Sequence, residues 1–176
     1  MDSDGYLSQL ADIFNGITVN TPSISAIIAI VLAGVLLLAS GFASASEIAF
    51  FSLSPSDRND IDERNHPSDE KISALLGDSE RLLATILITN NFVNVTIIML
   101  CNFFFMNVFI FHSPLAEFLI LTVILTFLLL LFGEIMPKIY SAQKTLAFCR
   151  FSAPGIYYLE KIFRPVATVL VRSTAF

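Results

Sequence analysis

The chain is short of charge. Lys, Arg, Asp and Glu together make up 14% of its 176 residues, whereas a typical soluble domain carries about 25%. Hydrophobic residues make up 55% of the sequence, and the mean hydropathy is +0.75. Because a soluble domain of this length needs a more polar surface, the composition favours a membrane protein.

Reactive and metal-binding side chains are also scarce. The chain has two cysteines, Cys101 and Cys149, and two histidines. The cysteines lie far apart in apolar stretches, which excludes a disulfide framework and a zinc-type ligand spacing, so they are expected to be packing residues. No pair of nucleophile and base and no phosphate-binding loop occurs in the sequence, so we do not expect an enzyme.

Three long apolar runs stand where a soluble protein would alternate polar and apolar residues. They extend roughly over residues 24–53, 82–111 and 115–137, and each reaches or exceeds the ~20 residues that cross a ~30 Å hydrocarbon core as helix. The first run is not a signal peptide, because no Lys or Arg precedes it and it exceeds the about 7–15 residues of an h-region. The runs predict an all-α integral membrane protein with three transmembrane helices.

The basic residues are unevenly placed. None occurs in residues 1–23 or in the connection at 111–117. The sequence between the first two spans contains Arg58, Arg64, Lys71 and Arg81, and the sequence after the third contains Lys138, Lys144, Arg150, Lys161, Arg164 and Arg172. Since basic residues collect on the cytoplasmic side, we predict an external N-terminus, a cytoplasmic loop at 54–81 and a cytoplasmic C-terminus.

These patterns divide the chain into three parts. Residues 1–23 are predicted to form an external arm, and 24–137 a transmembrane domain that includes two short helices in the loop 54–81. Within that loop Ser54 and Asp57 form a capping-box pattern, and Asp78 is expected to cap the second span. Residues 138–176 alternate basic with aromatic and aliphatic side chains, which predicts a juxtamembrane belt of amphipathic helices. Pro154 and Pro165 are expected to interrupt that belt.

Polar residues inside the spans occur in pairs at helical spacing. Ser40 and Ser44 share one face of the first span, and Asn90 and Asn94 share one face of the second. At 1.5 Å per residue both pairs fall about 12–20 Å from the inner boundary, so they can face each other. The small residues at 39–46, ASGFASAS, would let helix backbones approach closely there.

The third span ends in an acidic motif, FGEIMPK at 132–138. Gly133 and Pro137 are expected to loosen the helix around Glu134 and to free backbone carbonyls. Hydroxyl, amide and carboxylate oxygens are the hard ligands that suit Mg²⁺ or Na⁺. The three spans therefore predict a discontinuous oxygen-ligand metal site within the membrane.

Each of these residues also has a purely structural interpretation. Glu134 stands four residues before Lys138, the favourable order for a helical ion pair. Serine and asparagine at four-residue spacing are ordinary hydrogen-bonding groups between membrane helices. Glu47, near the inner end of the first span, is expected to bond a helix cap or a basic neighbour.

Three motifs, in this order, resemble the membrane domain of the CorC/CNNM (cyclin M) magnesium transporters. They are GFASASEIAFFSLSPSD at 41–57, LLATILITNNFVN at 82–94 and FGEIMPK at 132–138. The resemblance covers nearly all of residues 24–176. The wording SEIAFFSLSP is similar to the GldE-like gliding-motility branch of the family.

The resemblance implies a homodimer in a bacterial inner membrane, with three spans per subunit, a helical belt and a Mg²⁺ site in each subunit. It also implies Mg²⁺ efflux coupled to Na⁺ entry. The metal ligands carried over by motif are Ser40, Ser44, Asn90, Asn94 and Glu134. Thr89 departs from the family pattern, which often has glycine before the first asparagine.

Two further expectations follow from the resemblance. Family members usually continue into cytoplasmic CBS domains, so we expect a chain truncated before them. The GldE likeness leaves an alternative function, a membrane scaffold or assembly component for gliding motility or secretion that transports nothing. In that case the polar residues would only hold helices together, and under neither hypothesis is a nucleic-acid partner expected.

Overall fold

Long helices dominate the architecture. A computed structural model describes residues 18–110 and 114–174. Its elements are β1 (Thr18–Val19), α1 (Ile24–Phe51), α2 (Pro55–Asp62), α3 (Asp69–Leu76), α4 (Ser79–Val108), β2 (Phe109–Ile110), α5 (Pro114–Leu128), a π-helical segment (Leu129–Ile135), α6 (Met136–Gln143) and α7 (Thr145–Thr174). Three helical stretches are long and apolar enough to cross a membrane, Ile24–Phe51, Ser79–Val108 and Glu117–Gln143. The predicted all-α class with three membrane-spanning helices is confirmed.

The helices between the first two spans begin where the sequence predicts. The Ser54 hydroxyl accepts a hydrogen bond from the Asp57 amide, and the Asp57 carboxylate accepts one from the Ser54 amide. This reciprocal box starts α2, and the second short helix follows as α3. Asp78 caps α4 by accepting from the Arg81 amide at 3.2 Å. These caps satisfy amides that would otherwise lack partners at a helix start.

The second half of α1 is the most buried part of the bundle. Its buried residues there are almost all small: Ser40, Gly41, Ala43, Ser44, Ala45, Ser46 and Ala49, followed by Phe50. This face packs against α4 on one side and against the π-helical segment and α6 on the other. Close backbone approach is what holds helices together in lipid, where apolar surface gains little by leaving the solvent.

The third span changes helical register near its end. The Met136 amide donates to the Leu131 carbonyl, five residues back, and the whole segment Leu129–Ile135 is π-helical. Pro137 explains the change, because its ring would clash with the carbonyl four residues earlier in an α-helix. The helix then continues as α6 to Gln143, past the predicted end of the span at 137.

Helix α7 runs unbroken from Thr145 to Thr174 with Pro154 and Pro165 inside it. The prediction that these prolines interrupt the belt is wrong. Each proline removes one backbone hydrogen bond, but Cys149, Ala153 and Ile156 are fully buried on both sides of Pro154 and keep the helix packed. Burial also raises the pKa of Cys149 to about 12, so this thiol stays protonated and acts as a packing residue, as predicted.

A buried ion pair joins α3 to α7. Arg150 donates to both carboxylate oxygens of Asp69, from Nε at 2.8 Å and from Nη2 at 3.0 Å, and the His66 amide donates to the same carboxylate at 2.9 Å. The Asp69 side chain is fully buried. Burial alone would raise the pKa of Asp69, but the Arg150 and His66 hydrogen bonds outweigh it and hold that pKa below 3.8. The loop between the first two spans is thereby fastened to the C-terminal helix.

A short antiparallel β-ribbon lies at the end of the bundle opposite the loop 54–81. Thr18 pairs with Ile110 and Val19 with Phe109, and the Asn20 amide donates to the Val108 carbonyl at 2.7 Å. The end of the predicted N-terminal arm therefore lies against the end of α4. The rest of that arm, residues 1–17, lies outside the described residues.

Candidate metal centre

Ser40 on α1 contacts two asparagines of α4. Its hydroxyl oxygen lies 2.8 Å from the Asn90 amide oxygen and 2.7 Å from the Asn94 amide oxygen. A hydroxyl has one proton and can donate to only one of them. The amide oxygens of both asparagines therefore face the serine oxygen, with one hydroxyl proton available to the three. Three hard oxygens meet at one point between two spans, as the paired spacing predicts.

Ser44 lies one turn further along the same face of α1. It is fully buried, and its hydroxyl has no hydrogen-bond partner among the described residues. Leaving a buried hydroxyl unsatisfied costs about 1–3 kcal/mol, so such a group points to a bound water or ion. The hydroxyl of Ser44 is thus available, and its role as a metal ligand stays a prediction.

Glu134 is half-buried and makes no hydrogen bond or ion pair with any residue in the described ranges. Glu134 does not form the ion pair with Lys138 that the structural interpretation predicts. The Lys138 ammonium lies 3.0 Å from the Glu47 carboxylate instead. The predicted structural role of Glu47 as the partner of a basic neighbour is confirmed. Because Lys138 is engaged elsewhere, the charge of Glu134 is not neutralised by the residue four positions on.

Two glycines, Gly133 on the third span and Gly41 on α1, allow these two helices to lie in close contact. A Cβ placed on Gly133 would stand 3.2 Å from the Ser40 hydroxyl oxygen, so the backbone beside Glu134 lies directly against the centre. A Cβ on Gly41 would stand 3.0 Å from Pro137 and 3.4 Å from the Phe132 carbonyl oxygen. In the π-helical register that carbonyl would accept from residue 137, but proline has no N–H. The Phe132 carbonyl oxygen therefore lies against α1 beside Gly41.

Gly133→Ala tests this close approach. The added methyl would press on a serine already in contact with both asparagines, and we expect a loss of about 1–3 kcal/mol in stability. The measurement is thermal unfolding of the detergent-solubilised protein. Gly34→Ala is the control, because nothing lies within 4 Å of a Cβ there. A Gly133→Ala variant as stable as Gly34→Ala would contradict the packing.

The other asparagines of the second span lie elsewhere. Asn91 and Asn102 are exposed, and Asn107 accepts a hydrogen bond from the Ser23 hydroxyl at 3.3 Å. No group of three or more His, Cys, Asp or Glu side chains gathers anywhere in the part of the chain that the structure describes. The donor set at Ser40 is therefore neutral hard oxygen, which suits Mg²⁺ or Na⁺ and not zinc or copper. The backbone of Gly133, next to Glu134 in sequence, lies against it.

Thr85 is a buried polar group of α4 that the sequence analysis missed. It is fully buried, and its hydroxyl has no partner among the described residues. Its carbonyl accepts from the Thr89 hydroxyl at 2.8 Å, so the hydroxyl of Thr89 is satisfied within α4. The signal in the sequence was a second polar pair at four-residue spacing, Thr85 and Thr89, on α4 ahead of the asparagines.

Comparison with known proteins places the chain in a family. Residues 28–176 match the family model described as "Cyclin M transmembrane N-terminal domain". The chain is also 31% identical over 134 residues to a protein of Haemophilus influenzae named "UPF0053 protein", covering 76% of this chain and 31% of that relative. The chain thus spans about a third of the length of this curated relative. It belongs to the cyclin M transmembrane N-terminal domain family and is an integral membrane protein.

Proposed function

We propose that the chain binds Mg²⁺ between its spans and forms the translocation centre of a Mg²⁺ transporter. The observation that carries the proposal is the contact of one serine hydroxyl with two amide oxygens, at 2.7 and 2.8 Å. Both amides turn their oxygens toward one hydroxyl that has a single proton, and a cation between the three oxygens would attract all of them.

The spacing of these oxygens is close to what Mg²⁺ requires. Six oxygens at ~2.1 Å in an octahedron place neighbouring ligands about 3 Å apart, slightly further than the observed contacts. Small outward shifts of Asn90 and Asn94 would therefore admit the ion beside Ser40. Ser44, with its unsatisfied hydroxyl, and the Phe132 carbonyl are the next candidates for the shell, and water would supply the remainder.

Glu134 provides the charge. A dication between neutral dipoles in a low-dielectric interior is costly, and one carboxylate offsets part of that cost. This single carboxylate balances only half of the ion's two positive charges. Glu47 adds no further negative charge, because it and Lys138 already neutralise each other. Partial balance suits transport, since the ion must bind well enough to enter and weakly enough to leave.

The remaining features of the proposal rest on the family resemblance and on charge placement. They are a homodimer in a bacterial inner membrane, a cytoplasmic loop at 54–81, and Mg²⁺ efflux coupled to Na⁺ entry. The four basic residues between the first two spans and the six after the third support this orientation. Cytoplasmic CBS domains are proposed as further partners of the membrane domain, because family members usually carry them.

Asn94→Ala tests the centre. Removing one amide oxygen should lower Mg²⁺ affinity at least tenfold and abolish Mg²⁺ flux into liposomes that contain a Mg²⁺-sensitive dye. Affinity is measured as Mg²⁺-dependent thermal stabilisation in detergent, with EDTA as the reference condition. Asn91→Ala is the matched control, because this neighbouring asparagine is exposed and away from Ser40.

Two results would count against the proposal. Equal Mg²⁺ stabilisation of the parent and Asn94→Ala would remove the ion from this position. A parent chain that shows neither stabilisation by Mg²⁺ nor flux would favour the membrane scaffold, in which Ser40 and the asparagines serve only as hydrogen-bonding groups between α1 and α4.

A further inference from the structure

A groove of about 440 Å³ lies between α4 and α5, on the side of the bundle away from the loop 54–81. Four polar residues line it, Asn102, Glu117, Thr122 and Thr126, and its apolar lining includes Ile98, Met106 and Leu125. Both helices are membrane spans. The groove therefore holds polar side chains at depths where lipid would surround them.

The polar lining argues that water occupies the groove. Asparagine and threonine side chains exposed to hydrocarbon cost free energy unless they pair or face a polar cavity. The residues next in sequence to the two threonines, Val123 and Phe127, are apolar and strongly exposed, as lipid-facing residues are. The same helix thus has one face suited to lipid and a neighbouring face suited to water.

The groove leads toward the metal centre. Ile98, Asn102 and Met106 repeat every four residues on α4, and Asn94 is the preceding residue of the same stripe. The end of the groove at Ile98 is therefore one helical turn along α4, about 6 Å, from the Asn94 backbone. Glu117, in the first turn of α5, lies at the other end.

An apolar layer separates the groove from the centre. Leu125 lines the groove and is itself buried in a cluster with Ala33, Val93, Ile97 and Cys101. Apolar constrictions of this kind stop ions because they do not hold water. In this conformation the groove ends at that layer.

We infer that this groove is the access path by which hydrated Mg²⁺ passes between the metal centre and the side of the membrane opposite the loop 54–81. The inference rests on the proposed function and extends it to a second set of residues. Six waters at about 30 Å³ each occupy roughly 180 Å³, so the groove has room for the ion with its first water shell. Glu117 attracts the ion at the mouth, and the layer at Leu125 separates the path from the centre until the spans move.

Cysteine accessibility in liposomes tests the path. Thr122→Cys and Thr126→Cys are compared with Val123→Cys and Phe127→Cys, the adjacent residues outside the groove. The probe is a membrane-impermeant, permanently cationic methanethiosulfonate, which reacts with thiolates in water. The parent chain is the blank, since its two cysteines are buried. We expect the groove pair to react at least tenfold faster than the lipid-facing pair.

Equal rates for the two pairs would overturn the inference. So would disulfide formation between subunits at 122 or 126, because a second copy and not water would then cover this face. Glu117→Gln adds a functional readout: the Mg²⁺ concentration for half-maximal flux should rise roughly threefold to tenfold as attraction at the mouth is lost. An unchanged concentration would count against Glu117 as the mouth.

Failure of this inference is distinguishable from failure of the metal centre. Mg²⁺-dependent thermal stabilisation in detergent reports on the centre alone and should be the same in Glu117→Gln as in the parent. If only the path is wrong, stabilisation persists while the labelling contrast disappears. If the centre is wrong, the parent shows no stabilisation whatever the labelling pattern.

Discussion

Glu134→Gln is expected to lower Mg²⁺ affinity at least about 100-fold, or about 3 kcal/mol, while the protein stays folded. The substitution keeps the shape of the side chain and removes its negative charge. The Glu47 carboxylate does not replace that charge, because it is 3.0 Å from the Lys138 ammonium. The ion would then meet only neutral oxygens in a low-dielectric site.

The measurement is Mg²⁺-dependent thermal stabilisation, followed by flux in liposomes. Glu70→Gln serves as the control, because Glu70 is exposed on α3, in the loop between the first two spans, and its substitution removes the same charge. Retention of parental affinity in Glu134→Gln would show that the ion does not use this carboxylate. Loss of affinity in both variants would show that overall charge, and not the site, governs binding.

Asp69→Ala is expected to destabilise the protein by about 3–5 kcal/mol, because it leaves the Arg150 guanidinium partly buried without its counterion. For a chain of this size that corresponds to a fall of roughly 6–20 °C in Tm. The reason for the large effect is geometric: both Asp69 oxygens accept from Arg150, at 2.8 and 3.0 Å, and the aspartate is fully buried. The measurement is thermal unfolding in detergent.

Two controls separate pairing from packing. The double variant Asp69→Leu with Arg150→Leu should recover much of the loss, since replacing a buried pair by apolar residues is often neutral. Glu47→Gln breaks a pair whose two side chains are about a third exposed and should cost about 1 kcal/mol or less. A double variant as unstable as Asp69→Ala would show that packing, and not the ion pair, is what the single variant loses.

The ion pair also has a defined pH dependence. The pKa of Asp69 lies below its ordinary value of 3.8, so its contribution is fully present above pH 3.8 and is lost as the pH falls through the lowered pKa. The free energies of unfolding of the parent and of Asp69→Ala should therefore converge in acid, and near neutrality they should differ by an amount that does not change with pH. A difference that grows as the pH falls would contradict this sign.

Much of the candidate site was predictable from local patterns. Four-residue spacing places Ser40 with Ser44 and Asn90 with Asn94 on single helix faces. The rise per residue puts both pairs at one depth, and the structure brings Ser40 to 2.7 Å from Asn94. The metal-binding role of all five predicted ligands stays a prediction, and the position of Glu134 relative to the serines was not predictable from spacing, because a register change intervenes.

The sequence by itself determined the three spans, the caps at Ser54 and Asp78, and the close packing of α1, because runs of apolar residues, capping side chains and small residues act over one or two helical turns. Only the tertiary structure decided that Lys138 pairs with Glu47 and leaves Glu134 unpaired. It also decided that Asp69 meets Arg150, and that α7 continues through two prolines. Each of those outcomes is a competition between a local preference and a partner distant in sequence, and the distant partner is present only once the helices have packed.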